Sequence, residues 1–166
     1  MNPATLILIT ALIPSQDTGA TKAQATEHQQ HVDQNGDKVM GFSHEKTTHH
    51  FLLRANGGAI QVEANSKDDQ ESRDQIQGHL GHIAKMFTAG DFNAPMLVHS
   101  AIPPGTETMK RLKDEIRYSY ELTPNGARVV IATAHKEALN AVHEFLRFQI
   151  KDHRTGDPLT LGAKKP

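Results

Sequence analysis

The chain contains no cysteine. That excludes disulfides, thiolate metal sites and a cysteine nucleophile, and is compatible with either redox compartment. There is no tryptophan, and aromatic residues make up only 5% of the 166 positions. The core must therefore be assembled mainly from Leu, Ile, Val and Phe. The formal net charge is −1, so no bulk attraction draws the chain to nucleic acid or to an anionic membrane. No apolar run approaches the roughly 20 residues that a membrane-spanning helix needs. The nucleophile elbow, the HExxH zinc motif, the P-loop and the dinucleotide fingerprint are all missing, so no motif marks the chain as an enzyme.

The longest apolar run is short and lies at the start. "LILITALI" (Leu6–Ile13) has the length of a secretory segment, and small-residue cleavage sequences end at Ala20 ("TGA") and Ala25 ("AQA"). Against this, "MNPAT" supplies no Lys or Arg ahead of the run; the competing reading is a short N-terminal helix or strand that joins the fold. The expectation is a signal peptide over residues 1–25, a flexible polar leader over 26–43, one domain over 44–157 and a tail over 158–166. The mature domain would be periplasmic or extracellular, with no membrane insertion.

Within 44–157 the patterning is legible. "TTHHFLLR" alternates His49, Phe51 and Leu53 against His50, Leu52 and Arg54. "ANGG" supplies turn residues, and "AIQVEAN" alternates again, which together predict a hairpin. A loop at Asn56–Gly57 would pair His49 with Ala64, and one at Gly57–Gly58 keeps the same faces together. Ser66 is a candidate N-cap for a helix whose stripe is Ile76, Leu80, Ile83 and Phe87. The order then recurs: "EIRYSYEL", the turn "TPNG", "ARVVIAT", and a helix striped by Leu139, Val142, Leu146 and Ile150. Aligning Gly58 with Gly126 sets His79 opposite His143. The predicted fold class is α+β: a ββα–ββα pseudo-repeat forming a four-stranded antiparallel sheet with two helices on one face. In the long connection between the units, "MLVH" reads as an extra short strand and "TETMKRLK" as a helical turn or two.

What the chain has in abundance is histidine, eleven in all. Around 100° per residue, His79, His82 and Met86 share an arc beside the first helix's apolar stripe. Imidazole suits copper and zinc, and thioether favours Cu(I). His49, on the helix-facing side of its strand, could join His79 and His82 in a three-histidine site with an open fourth position. His50 points to the other face, toward Glu63. Cleavage after Ala25 would expose Thr26-Glu27-His28, whose amine, amides and third-position imidazole suit square-planar Cu(II). Two further Met/His pairs, Met40 with His44 and Met96 with His99, fit a copper carrier or ordinary core-plus-surface residues equally well.

The leading expectation is an exported domain binding a copper or zinc ion, copper ahead of zinc, through His49, His79, His82, Met86 and His28, for storage, sensing or delivery. The rival is a non-catalytic accessory subunit docking a protein partner through the open sheet face (His50, Leu52, Gln61, Glu63, Arg117, Ser119, Glu121 and Val130). A third reading, a small hydrolase or isomerase with a histidine base, requires a pocket holding His49 or His79 beside a carboxylate.

Overall fold

The computed structural model describes residues 18–161. Leu6–Ile13, read above as a secretory segment, lies outside the described residues, as do residues 162–166 of the tail. Five helices and four strands run in the order α1 (Thr18–Met40), β1 (Thr47–Arg54), β2 (Gly57–Ala64), α2 (Gln70–Thr88), α3 (Asn93–His99), α4 (Thr106–Arg111), β3 (Arg117–Thr123), β4 (Gly126–Ala132) and α5 (Lys136–Asp152). A 3₁₀ turn, Lys113–Glu115, leads into β3. The strands form one antiparallel sheet in the order β1-β2-β4-β3. The fold is α+β, as the alternation and helical periodicity predict.

Both hairpins close on two-residue loops. In the first the loop is Ala55–Asn56, so Leu53 faces Gly58, Phe51 faces Ile60 and His49 faces Val62. The register is two residues from the expected one, which leaves the faces unchanged because side chains alternate with period two. In the second, Thr123 and Gly126 flank Pro124–Asn125. A Cβ on Gly57 would fall 2.0 Å from the Ile131 carbonyl oxygen, and one on Gly126 would fall 2.1 Å from that of Val62. The bare backbone at these two positions lets β2 and β4 pair. Gly57, rather than Gly58, therefore occupies the place in its hairpin that Gly126 holds in the other.

One sheet face carries Phe51, Ile60, Val62, Ala64, Ala127, Val129 and Ile131, all buried. The helices pack there through Ile76, Leu80, Ile83 and Phe87 of α2 and Val142, Phe145, Leu146 and Ile150 of α5. α2 lies mainly over β3 and β4, α5 over β1 and β2. Asp69, not Ser66, caps α2: its carboxylate accepts from the Ser72 N–H at 3.0 Å and from the Ser72 hydroxyl at 2.8 Å. A carboxylate is the stronger cap at the positive end of a helix dipole.

Two other segments depart from expectation. "MLVH" belongs to α3 rather than to a strand. Pro95 sits in the first turn of α3, where its missing N–H would have had no intrahelical partner, so it starts the helix instead of breaking it. Residues 26–40 are not a flexible leader but part of α1. α1 packs against α3, with Val32 1% exposed. Asn35 bonds Ser100 and the Arg154 guanidinium bonds the Ala25 carbonyl, both at 3.3 Å. Gly41, at φ +79°, ends the helix. Among the described residues no helix is long and apolar enough to cross a membrane.

Candidate functional site

A cavity of about 60 Å³ lies where α1, α2, α3 and α5 meet the β1–β2 hairpin. Its walls are mostly apolar: Met40 from α1, Val62 from β2, Leu80 and Ile83 from α2, Val98 from α3 and Phe145 from α5. Four histidines enter this lining, each from a different element: His49, His79, His99 and His153. Strand alternation sends His49 inward beside Phe51. His79 flanks the Ile76/Leu80/Ile83 stripe of α2 and is half-buried. His99 is the last residue of α3, just before Ser100 turns the chain at φ 51°. His153 is the C-cap of α5.

The rings form a stack. His49 and His153 lie parallel, 5.6 Å between centroids and 7° between planes. Phe51 continues from His153 at 5.4 Å and Phe42 lies over His49 at 5.8 Å. Phe42 meets His79 edge-on at 5.6 Å, and His99 meets His153 edge-on at 4.9 Å. Burial pushes the His49 pKa down to about 4, with the His79 imidazole adding to the effect. Burial likewise takes His79 to about 4, helped by His82, and His153 to about 3, helped by His49 and His99. At neutral pH these three rings are uncharged, as an apolar stack requires.

One end of the cavity is polar. His99 Nδ1 lies 2.5 Å from Asp152 Oδ2, and its Nε2 lies 2.9 Å from Gln149 Oε1. The other Asp152 oxygen lies 2.8 Å from His28 Nε2. Burial pushes the Asp152 carboxyl up, but its hydrogen bonds to His28 and His99 more than offset this and hold it below the usual range. Two fully buried polar atoms of the lining residues have no partner among the described residues: His49 Nε2 and Gln149 Nε2. Rotating the Gln149 amide would exchange its two polar atoms and still leave one of them over.

The expected site residues are only partly brought together. His49 and His79 share the cavity. His82 is exposed, along an open groove with Tyr118 and Tyr120. It sits about 60° further than His79 from the apolar stripe, enough to reach solvent. Met86 is half-buried against the core, and His28 is exposed and paired with Asp152. Among the described residues no three His, Asp or Glu side chains converge on a metal-holding position. Among the described residues no carboxylate hydrogen-bonds His49 or His79, and both nitrogens of His99 are engaged. His50 pairs with Asp157 Oδ1 at 3.0 Å, and not with Glu63.

His153, Gln149 and Asp152 were not singled out from sequence. His153 carried a signal: it lies three residues beyond Ile150 and extends the buried stripe of α5. Asp152 and Gln149 carried none, since their roles depend on contact with α1 and α3. No protein-family model, no curated protein and no solved structure matches the chain.

Proposed function

We propose that this protein binds a small, uncharged, largely apolar molecule in the imidazole-lined cavity. The observation that carries this reading is His49 Nε2, buried in a lining residue with nothing to bond. An orphaned buried polar atom costs about 1–3 kcal/mol, and a ligand hydroxyl or carbonyl would relieve that cost. The His49 ring is neutral at pH 7, so Nε2 can donate or accept according to tautomer. The leftover Gln149 amide atom offers a second anchor. About 60 Å³ is several times the roughly 10–15 Å³ that one water needs, which is room for a ligand of a few non-hydrogen atoms. Stacked rings and aliphatic walls favour a ligand of about three or four heavy atoms with one polar end, such as 2-propanol.

The test is a comparison of 2-propanol and 2-chloropropane binding to the wild type and to His49→Phe, read by NMR titration. The wild type should saturate with 2-propanol at a dissociation constant of about 10⁻⁴ to 10⁻² M, within the ceiling for so small a ligand. His49→Phe should lose at least tenfold in 2-propanol affinity while retaining 2-chloropropane. Absence of saturable binding of either probe to the wild type, or equal 2-propanol binding by both proteins, would overturn the reading.

A second reading keeps the metal. His49 and His79 are neutral imidazoles lining one cavity, and two imidazoles suit Cu(I) better than zinc, which asks for more ligands. The role would be storage or delivery in an exported protein. Competitive Cu(I) titration should then show one site, weakened at least tenfold in His79→Phe. A site no tighter than micromolar, or unaffected by that change, removes this reading. Intact mass of the protein from its native host decides export, by showing whether cleavage follows Ala20 or Ala25.

A further inference from the structure

The two edges of the sheet are treated differently. Along β1, pairing on a two-residue loop turns the backbone of the odd-numbered residues outward. The Phe51 N–H is met there by Asp157 Oδ2 at 2.9 Å, and the same carboxylate holds His50. The C-terminal segment thus blunts that edge. Along β3 the same rule turns Tyr118, Tyr120 and Leu122 outward. Among the described residues no strand lies outside β3, and no backbone hydrogen bond reaches its outer side. β3 contains neither proline nor lysine, two common guards of an open edge. Its Tyr120 and Leu122 are 39% and 65% exposed.

We infer that β3 is the seat of a symmetric homodimer, in which a second copy adds its own β3 antiparallel and continues the sheet. The register follows from charge. Arg117 and Glu121 stand two residues either side of Ser119 on one sheet face. With Ser119 opposite its own copy, Arg117 of each chain faces Glu121 of the other, twice over. The same register sets Tyr118 opposite Tyr120, and both of these turn their backbone groups outward, so they can exchange main-chain bonds, about four in all. Shifting the register by one residue on each chain sets Glu121 against Ser119 and loses both ion pairs. Leu122 would meet Ile116 of the other copy, covering part of the exposed apolar surface. Arg128, which lies beside Glu121 in its own chain, shares that carboxylate rather than opposing the pair.

Light scattering on the full chain should give twice the 18.3 kDa chain mass at tens of micromolar. Arg117→Glu and Glu121→Arg each set like charges face to face, and each should weaken the dimer at least tenfold. Mixed together, these two variants should form a heterodimer, because every facing pair is then opposite in sign. The chain has no cysteine, so Ser119→Cys introduces a lone thiol at the two-fold axis. It should oxidise to a covalent dimer much faster than Thr48→Cys on the opposite edge. A monomer at that concentration overturns the inference, whether the edge is left bare or taken by another protein. A dimer whose Ser119→Cys form crosslinks no faster than Thr48→Cys, or whose charge variants fail to rescue each other, overturns the β3 seat.

Discussion

At the scale of single residues, the informative feature is three histidines that fold uncharged. His49, His79 and His153 have pKa values of about 4, 4 and 3 in the folded chain, against about 6.5 unfolded. A depressed histidine pKa means that the folded state refuses protons which the unfolded state accepts. Nothing is lost above pH 7. As pH falls through about 6.5 the unfolded chain takes up protons and stability drops, and the drop continues until the folded rings titrate near pH 4. Each ring removes on the order of 1 kcal/mol between pH 7.5 and 5.5, so the three together remove several kcal/mol. The pKa of His44 is raised by its hydrogen bond to Asp37, so His44 acts in the opposite sense, weakly because it is exposed. Urea unfolding at the two pH values should show this loss, and His153→Phe should shrink it by about a third. Equal stability at pH 7.5 and 5.5 would mean the rings are not sealed from water.

At the scale of elements, α5 is tied to the first hairpin by one side chain. His143 is buried, and its Nε2–H is shared between the carbonyls of Arg54 at 2.9 Å and Gly57 at 3.0 Å. These carbonyls flank the hairpin loop, so the contact fixes how the helix sits on the sheet. His143→Leu keeps the volume but removes this donor and leaves each carbonyl only its ladder bond, and should cost about 1–2 kcal/mol in chemical denaturation. A loss under about 0.5 kcal/mol would show that water reaches the loop carbonyls. The strands and helices α2 and α5 were legible because their buried faces repeat locally, every second residue in a strand and every third or fourth in a helix. α1 was not, because its polar sequence has no apolar stripe. It is held by its packing on α3 and by His28 on Asp152, contacts that no local pattern encodes. "MLVH" in α3 reads as a strand because four residues are too few for a helical period to show.

At the scale of the whole molecule, the chain with few aromatics concentrates them. Phe87, Phe92, Phe145 and Tyr118 meet between sheet and helices, with Phe87 to Phe92 at 4.6 Å and Phe87 to Phe145 at 5.9 Å. Phe145 is 1% exposed and also lines the histidine cavity. Phe145→Ala should cost about 3–5 kcal/mol, a large part of the 5–15 kcal/mol that holds a typical domain folded. Its melting temperature should fall by more than about 10 °C; a smaller shift would show that the surrounding rings close the gap.

By itself the sequence determined which stretches become the four strands and helices α2 and α5, which face of each turns inward, and that His49 and His50 part to opposite sides of the sheet. These follow from backbone periodicity, which acts over a few residues. The tertiary structure alone decided the company each histidine keeps. His99 and His153 reach His49 and His79 because α3 and α5 converge on the hairpin, while His82, three residues from His79, is turned to solvent. Convergence of that kind is set by packing between elements distant in the chain, and spacing along a single helix or strand carries no record of it.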